Sequence, residues 1–329
     1  MATGIFAAWR WLAAIGLAAT AVCVSAHGGV GAAAPSIQPG AAKVDLRPKF
    51  EPGQTTRYVM TVTSDNTVKP QDKQDPEQRQ TITQEFTLSV RTVKTDGESG
   101  ATVEIVFDRV KVRLKTDDLD LSFDSDPAKS PPPAKGPRKD EIDEAMEGVL
   151  RQAFQGMVGQ KLTVVYDGNG NIKSVEGGGG LGLPGLMDKA GVGSPKDRVG
   201  GIFGPITTRK SGGGLVSVGE KWQNVDEVSV GPFGEFKMIT DHQLRSSRDG
   251  RAEVAFSGRV EPATAAPGAA PVSVKGGGSR GMYVWDTRLG QLKSMTSEQQ
   301  MNLEGTRGGL GSMSSTQTVK VERVEGQRK

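Results

Sequence analysis

Alternation of apolar and polar residues, the period of a half-buried β-strand, runs through most of this chain from Tyr58 onward. One segment shows the pattern clearly, because its apolar residues share one parity: Ile82, Phe86, Leu88 and Val90. A turn at Asp96-Gly97 follows, and the alternation then resumes. The pattern predicts a mainly β protein built from antiparallel strands.

The parity reverses once inside the next predicted strand, at Asp108-Arg109. Phe107 ends one apolar series, and Val110 begins another that is one residue out of phase. A single extra residue in a long strand produces such a shift, so we predict a β-bulge there. The alternating run 118–124 predicts a further strand.

Only one segment has a convincing helical period. Between 140 and 157, apolar residues recur at intervals of three and four, and Asp140 is suited to cap the amino end. These apolar residues are Ile142, Met146, Val149, Leu150, Ala153, Phe154 and Met157. An isolated helix of this length is marginal in water, so we expect this one to cover a sheet face or to close the end of a barrel.

The second half of the chain repeats features of the first half in the same order. The matching segments are Gly53-Gln54 to Tyr58 with Gly219-Glu220 to Trp222, Glu85-Phe86 with Glu235-Phe236, Asp96-Gly97 with Asp249-Gly250, and Tyr166-Asp167 with Trp285-Asp286. They predict two tandem, duplicated antiparallel β lobes, each a curved sheet, an open barrel or a sandwich, with one inserted amphipathic helix. The first lobe spans 46–176, the second spans 215–326, and a connection rich in glycine and proline, 177–214, separates them.

Three features carry a resemblance to a known family: the run Val218 to Trp222, the Asp249-Gly250 turn, and the hairpin from Asp286 to Leu292. They resemble an uncharacterised family of secreted bacterial β-rich proteins, known only as a domain of unknown function. The resemblance covers roughly residues 45–325. It implies a β-rich fold and export, and it brings no catalytic residues.

The amino-terminal segment is typical of a secretory signal peptide. Arg10 is its only charge, and the apolar run Trp11–Val24 is shorter than the roughly 20 residues that cross a bilayer. Small residues before Ala26 predict a signal peptide 1–26 and a flexible leader 27–45. We therefore expect an exported protein, periplasmic or extracellular, without a transmembrane span after cleavage.

The single cysteine, Cys23, lies inside the apolar run and allows one alternative, a lipoprotein acylated at Cys23. Val22 precedes it, where lipoprotein signals have glycine, alanine or serine, so we favour cleavage after Ala26. The mature chain then lacks cysteine, which excludes disulfides and thiolate metal sites.

Composition excludes two broad classes of protein. The 329 residues include 45 glycines and 18 prolines, with 5% aromatic residues, unlike a helix-packed enzyme of average composition. The net charge is +3, from 41 basic and 38 acidic residues, which is too balanced for a dedicated nucleic-acid binder. We expect no nucleic-acid partner.

Candidate chemistry is sparse. His27, exposed by signal cleavage, has only His242 as a partner for copper, and we do not favour that site. Asp118 and Asp120 are weak calcium candidates, and a solvated strand face accounts for them better. Asp241 points away from His242 on a strand and does not orient its imidazole. We predict no catalytic residues and no cofactor.

Two functions remain. The first is an exported, non-catalytic envelope or secreted protein that binds another envelope macromolecule or has a structural role. The alternative is a periplasmic carrier of a lipid or other apolar ligand in the cavity of a curved sheet, with helix 140–157 as its lid. For the carrier, the predicted ligand-binding residues are His242, Phe236 and Met238 on one strand parity, with Phe154 and Met157 on the helix.

Overall fold

The computed structural model describes residues 43–70, 76–96, 100–117, 119–126, 128, 148, 151, 154–168, 172–177, 215–229, 235–264, 272–305 and 310–324. The predicted signal peptide, the connection 178–214 and most of the predicted helix 140–157 lie outside these residues. The described chain is mainly β, as the alternating pattern predicts.

The strands are β1 (Val44–Asp45), β2 (Thr55–Pro70), β3 (Gln78–Thr95), β4 (Gly100–Thr116), β5 (Asp120–Asp124), β6 (Lys161–Asp167), β7 (Ile172–Gly177), β8 (Leu215–Val216), β9 (Lys221–Ser229), β10 (Glu235–Arg248), β11 (Arg251–Thr264), β12 (Val272–Asp286), β13 (Gln291–Gly305) and β14 (Leu310–Val324). Val44 and Asp45, at the end of the predicted leader, thus already belong to a strand.

Twelve strands form one antiparallel sheet in the order β7-β6-β4-β3-β2-β14-β13-β12-β11-β10-β9, and β5 pairs with β4 beyond the end of β6. Within the described residues the two edges do not pair, so the sheet is not closed into a barrel. The two predicted lobes share one sheet. β14 hydrogen bonds to both β13 and β2, which joins the strands of both predicted lobes into one continuous sheet.

The long strands run alternately up and down, so their connections lie at two ends of the sheet. The lower end carries the turns that join β3 to β4, β10 to β11 and β12 to β13. The segment between β1 and β2 crosses this end. There the Lys49 N–H donates to the Gly290 carbonyl at 3.1 Å, and the Phe50 ring stacks on Tyr166 at 5.3 Å.

One face of the sheet, which we call the inner face, is buried, because the apolar parity of each strand points to it. Its lower half holds the largest fully buried side chains. They include Leu88, Phe107, Leu162, Leu244, Tyr283, Trp285 and Leu292. The short β1–β8 pair lies outside the main sheet, and Val44 and Val216 join the same apolar cluster.

The β-bulge predicted at Asp108-Arg109 is confirmed. Thr87 pairs with Arg109 and Leu88 pairs with Phe107, which leaves Asp108 as the extra residue. The Asp108 carboxylate accepts a hydrogen bond from the Ser89 hydroxyl at 2.6 Å. The bulge therefore allows both halves of β4 to present apolar residues to the inner face.

The same hydrogen bond recurs at the start of both halves. The Gly53 N–H donates to the Thr92 carbonyl at 2.8 Å, and the Gly219 N–H donates to the Leu244 carbonyl at 2.7 Å. Both glycines have positive φ, +81° and +87°, and a register shift follows each acceptor. The strand pairs β2–β3 and β9–β10 thus begin with the same local geometry.

A second correspondence lies at the lower end. Ala101 pairs with Tyr166, and Ala252 pairs with Trp285. A register shift adjoins each of these aromatic residues in the hairpin that follows. Both aromatic residues are buried on the inner face.

Two of the sequence matches are displaced in this frame. Trp222 pairs with His242, two residues before Leu244. In the first half, the residue two positions before Thr92 pairs with Thr56, so Thr56 and not Tyr58 is the counterpart of Trp222. Phe236 is likewise two residues out of step with Phe86. These two matches by residue type are therefore two residues out of register with the strand pairing.

Candidate functional site

Four rings pack together on the inner face near the β9 edge, and we call them the aromatic cluster: Trp222, His242, Phe256 and Tyr283. The indole of Trp222 and the imidazole of His242 stack with centroids 5.3 Å apart. His242 also contacts Phe256 at 6.0 Å and Tyr283 at 6.2 Å, centroid to centroid. Cross-strand pairing of Trp222, His242 and Phe256 places the first three rings side by side.

Gly281 pairs with Phe256 and continues this row across β12. A Cβ on Gly281 would lie 2.5 Å from Cζ of Phe256 and 2.4 Å from the Thr296 carbonyl oxygen. The Phe256 ring therefore lies over the glycine, and the sheet backbone forms the floor of the cluster.

His242 is 3% exposed, and neither ring nitrogen has a hydrogen-bond partner among the described residues. Burial lowers the pKa of His242 to about 4, against a small opposing effect of Asp241. At neutral pH the imidazole is therefore uncharged, with one N–H donor and one acceptor nitrogen unused. Burial likewise raises the pKa of Tyr283, whose hydroxyl also lacks a described partner.

A line of small or uncharged polar residues runs beside the cluster, one strand step after another, and we call it the polar row. In register from β2 to β9 it consists of Ser64, Gln317, Gln299, Ser279, Gly258, Thr240 and Asn224. The Gln317 amide donates to the Ser64 hydroxyl at 3.1 Å in the buried interior. Directly paired residues share a face, so the whole row belongs to the inner face.

Several polar atoms in and beside the row are buried without a described partner. They include Oγ of Ser279, Oε1 of Gln299 and of Gln84, and both amide atoms of Asn66. An unpaired buried polar group costs roughly 1–3 kcal/mol, and native interiors leave few of them. Together with His242 and Tyr283, they form an unused set of both donors and acceptors.

Charge is absent from two neighbouring rows of the inner face. Neither the polar row nor the adjacent row through Val62, Val319, Ser297, Gly281, Phe256, His242 and Trp222 contains an acidic or basic residue, apart from the neutral histidine. These rows are therefore equipped to surround uncharged groups.

The lower end of the sheet has a different character, because it holds a largely buried ion pair, although Nη1 of Arg323 and Nε1 of Trp285 lack a described partner. Arg323 donates to the Asp286 carboxylate at 2.8 Å, and each of these side chains is 10% exposed. Burial raises the pKa of Asp286, but hydrogen bonds from Arg323 and from the backbone of Leu289 outweigh it and hold the pKa below its usual value. The Tyr58 hydroxyl donates to the Leu292 carbonyl at 3.3 Å. This end supports the fold.

Two of the predicted ligand-binding residues, Phe154 and Met157, precede β6, and the other three lie on β10. Phe154 and Met157 are buried, and the Phe154 ring contacts Phe123 of β5 at 6.4 Å. Phe123 lies eight strand steps from His242 along the same inner row, so Phe154 contacts a strand near the sheet edge opposite to that of His242.

Phe236 and Met238 lie on β10 at the parity of His242, and their side chains are outside the described part of the structure. Their backbone pairs with Pro262 and Val260 of β11. Any contribution they make to the aromatic cluster stays a prediction.

The metal candidates find no support in the described residues. Asp120 is held by Arg113 through contacts of 2.9 and 2.6 Å, and this side-chain hydrogen bond lowers the pKa of the carboxyl. His27 and Asp118 lie outside the described residues. In the described ranges, no three histidine, cysteine or acidic side chains lie close enough to hold a metal ion.

The sequence reading did not identify the polar row. Its signal is a polar residue at a position whose neighbours of the same parity are apolar. Ser64 follows Val62 in this way, and Gln84, which pairs with Val62 in the adjacent row, separates Ile82 from Phe86. Side-chain parity alone would therefore have indicated buried polar groups.

No family model and no curated protein matches the chain. Among solved structures, the chain is similar to a lipovitellin structure that concerns lipid–protein interactions. The match has 13% identity and a TM-score of 0.40, and it covers 85% of this chain and 26% of that one. An outer membrane channel from Pseudomonas putida F1 matches at 7% identity and TM-score 0.27, covering 88% of this chain and all of that one. DynF of Micromonospora chersina matches at 6% identity and TM-score 0.21, covering 90% and 92%.

The chain thus spans about a quarter of the length of the matched lipovitellin chain. Likeness at these scores assigns no family and no function. In the described residues, no helix combines the length and apolar character needed to cross a membrane.

Proposed function

We propose that this chain is an exported, non-catalytic binding protein that carries a lipid or other amphipathic ligand on the inner face of its curved sheet. The observation that carries the proposal is His242, 3% exposed within the aromatic cluster with two unpartnered nitrogens. A purely structural sheet has reason to fill such a position with an apolar side chain. A ligand that contacts the cluster compensates for the unused hydrogen bonds.

The proposal assigns no acid–base role to His242. Its pKa of about 4 leaves it unprotonated at neutral pH, and Asp241 lies on the opposite face of β10, where it accepts from Gln223 at 2.8 Å. The imidazole is therefore a neutral donor and acceptor in an aromatic environment. That combination suits recognition of an uncharged polar group beside an apolar one.

The architecture of the proposal is a tandem duplication within one sheet. The support comes from the two glycine contacts, Gly53 to Thr92 and Gly219 to Leu244, and from the equivalent pairs that end at Tyr166 and Trp285. In this arrangement the first unit is β2-β3-β4-β6-β7 and the second is β9-β10-β11-β12-β13. The segment that ends at Phe154 is then an insertion on the first unit.

Export is the second part of the proposal, and the amino-terminal sequence supports it. The apolar run ending at Val24 and the small residues before His27 favour secretion and signal cleavage. A lipid carrier in the periplasm would move its cargo through the aqueous space between membranes. Acylation at Cys23 would tether the same carrier to a membrane.

Native mass spectrometry of the protein purified from the periplasm tests the carrier directly. We expect a lipid-sized mass to remain bound, and the lipid-free protein to bind the neutral dye Nile red saturably. Phe256→Ala, which removes a ring of the cluster, should weaken dye binding. Val225→Ala, at a side chain 56% exposed, is the matched control and should leave it unchanged.

The structural alternative makes the opposite prediction. A sheet that serves only as a scaffold would carry no lipid mass and would show no saturable dye binding. A protein whose partner is an envelope macromolecule would give the same result. That result would overturn the carrier proposal.

A further inference from the structure

We infer that the ligand is an uncharged lipid with a free hydroxyl group, of the diacylglycerol class, whose polar oxygens bind at the polar row. The inference rests on the proposed carrier function and specifies its ligand. It comes from three features of the inner face: unused donors and acceptors together, the absence of charge, and an aromatic surface directly beside the row.

The unpartnered atoms require a ligand that both donates and accepts hydrogen bonds. Oε1 of Gln299 is an acceptor and needs a donor, whereas the imidazole N–H of His242 is a donor and needs an acceptor. The Ser279 hydroxyl serves either way. A lipid hydroxyl supplies a donor and its ester carbonyls supply acceptors. A triacylglycerol lacks the donor, and a carboxylate has only acceptors.

The two rows offer no partner to a charged head group. The polar row and the row of His242 contain no basic residue that could pair with an anion and no acidic residue that could pair with a cation. The charge nearest to His242 along its own strand, Asp241, lies on the opposite face. Moving an ion into such an environment without a partner is strongly unfavourable.

The adjacent rows give the site two kinds of surface. On β10, β11 and β12, the polar row passes through Thr240, Gly258 and Ser279, each two residues from the aromatic row on the same face. Glycine is required at position 258, because a Cβ would lie 2.3 Å from the Ile239 carbonyl oxygen. An acyl chain against the rings would therefore place its ester and hydroxyl groups beside Ser279.

Buried water is the competing occupant, because water also donates and accepts. Water would satisfy Gln299 and Ser279 equally well, but it would not discriminate between lipid classes. A comparison of defined lipids therefore separates the two explanations.

The experiment measures displacement of Nile red from the lipid-free, full-length mature protein by four lipids that share oleoyl chains. We expect dioleoylglycerol to displace the dye at least about tenfold better than oleate, dioleoylphosphatidylglycerol or triolein, since one unmatched buried polar contact costs about a factor of ten. Equal displacement by oleate or by phosphatidylglycerol would overturn the inference while leaving the carrier proposal intact. Absence of saturable dye binding would instead overturn the carrier proposal itself.

Gln299→Leu tests the row within the protein. We expect about tenfold weaker binding of dioleoylglycerol, unchanged binding of Nile red, and a Tm equal to or above that of the wild type, because an unpaired buried acceptor is removed. A merely structural glutamine would give a lower Tm and unchanged lipid affinity. Gln300→Leu is the matched control, since Gln300 is the next residue on β13, exposed on the outer face, where it donates to Glu298 at 3.3 Å.

Ser279→Ala provides a second, smaller change if Gln299→Leu does not fold. It removes a hydroxyl that lacks a described partner and is 2% exposed, with little change in volume. Loss of dioleoylglycerol affinity with retained dye binding would support the inference. Unchanged lipid affinity in both Ser279→Ala and Gln299→Leu would leave water as the occupant and would refute it.

Discussion

The imidazole of His242 lies parallel to the indole of Trp222, at an interplanar angle of 6° and a centroid distance of 5.3 Å. The two residues face each other across β9 and β10, and both are buried. The stack shields the imidazole from water on one side, while Phe256 and Tyr283 shield it on others. This environment explains why the charged form of His242 is disfavoured in the folded protein.

His242 should make the stability of the protein depend on pH. The unfolded chain binds a proton near pH 6.5 and the folded chain only near pH 4, so the unfolded state holds more protons between these values. Stability should therefore be fully present above pH 6.5, fall as the pH drops towards 4, and level off below it. The difference between the two pKa values corresponds to about 3 kcal/mol.

The measurement is urea unfolding at several pH values for the wild type and for His242→Phe. The variant lacks the titrating group. Lowering the pH from 6.5 to 5 should therefore reduce the unfolding free energy of the wild type by about 2 kcal/mol relative to that of His242→Phe. Tyr283 does not titrate in this range, because burial raises its pKa. Parallel pH profiles for the two proteins would contradict the assignment.

Asp286→Asn should destabilise the protein by about 3 kcal/mol, because it leaves the guanidinium of Arg323 buried without its carboxylate. The matched control is Asp120→Asn, which breaks the exposed pair with Arg113 and should change stability little. Thermal and urea unfolding of both variants give the comparison. Equal effects of the two substitutions would show that the Asp286 pair has no special weight in the lower end.

Gly281→Ala should destabilise the protein by about 2 kcal/mol, because the added methyl group meets the Thr296 carbonyl oxygen and the Phe256 ring. Gly276→Ala, on the same strand, is the control, since nothing lies within 4 Å of a Cβ there. Urea unfolding of the two variants measures the difference. An unchanged unfolding free energy for Gly281→Ala would mean that the Phe256 ring moves freely over β12.

The strand elements were predictable because a sheet with one buried face imposes strict alternation on the sequence. The reversal at Asp108-Arg109 was sufficient to locate a β-bulge that the structure contains. The strand parity of His242 likewise predicted that it faces the interior, and it is buried on the inner face. Local pattern determined these features, and local pattern is visible in one sequence.

The arrangement of the strands was not predictable in the same way. That β14 connects β13 to β2 follows from pairing over more than 230 residues of sequence, as between Gln317 and Ser64, and no short-range period encodes it. The two-residue displacement of Trp222 from Tyr58 has a related cause. Aromatic residues match by type in a sequence, whereas the register depends on hydrogen bonds to the neighbouring strand.

Signal cleavage should produce a mature chain that begins at His27. The motivation is the apolar run Trp11–Val24 followed by the small residues Ser25 and Ala26. Amino-terminal sequencing of the protein recovered from the periplasm measures the cleavage site. A chain that begins at acylated Cys23 would support the lipoprotein alternative and place the carrier on a membrane.

The last prediction concerns Phe154, which is 3% exposed at the end of the predicted helix 140–157. Its ring contacts Phe123 at 6.4 Å, and the Gly159 N–H beyond it donates to the Phe107 carbonyl at 2.9 Å. These contacts attach the segment to β5 and β4, so we expect Phe154→Ala to leave a cavity and to cost about 3–5 kcal/mol. Val93→Ala, at a side chain 43% exposed, is the control and should change little.

Thermal unfolding and Nile red binding, measured together on Phe154→Ala, distinguish a packed segment from a mobile lid. A packed segment loses stability, whereas a lid that opens tolerates the truncation and loses affinity for the dye. The contact with Phe123 favours the first result, because β5 lies near the sheet edge opposite to the aromatic cluster. If neither stability nor dye binding changed, the segment would be an appendage with no part in either the fold or the site.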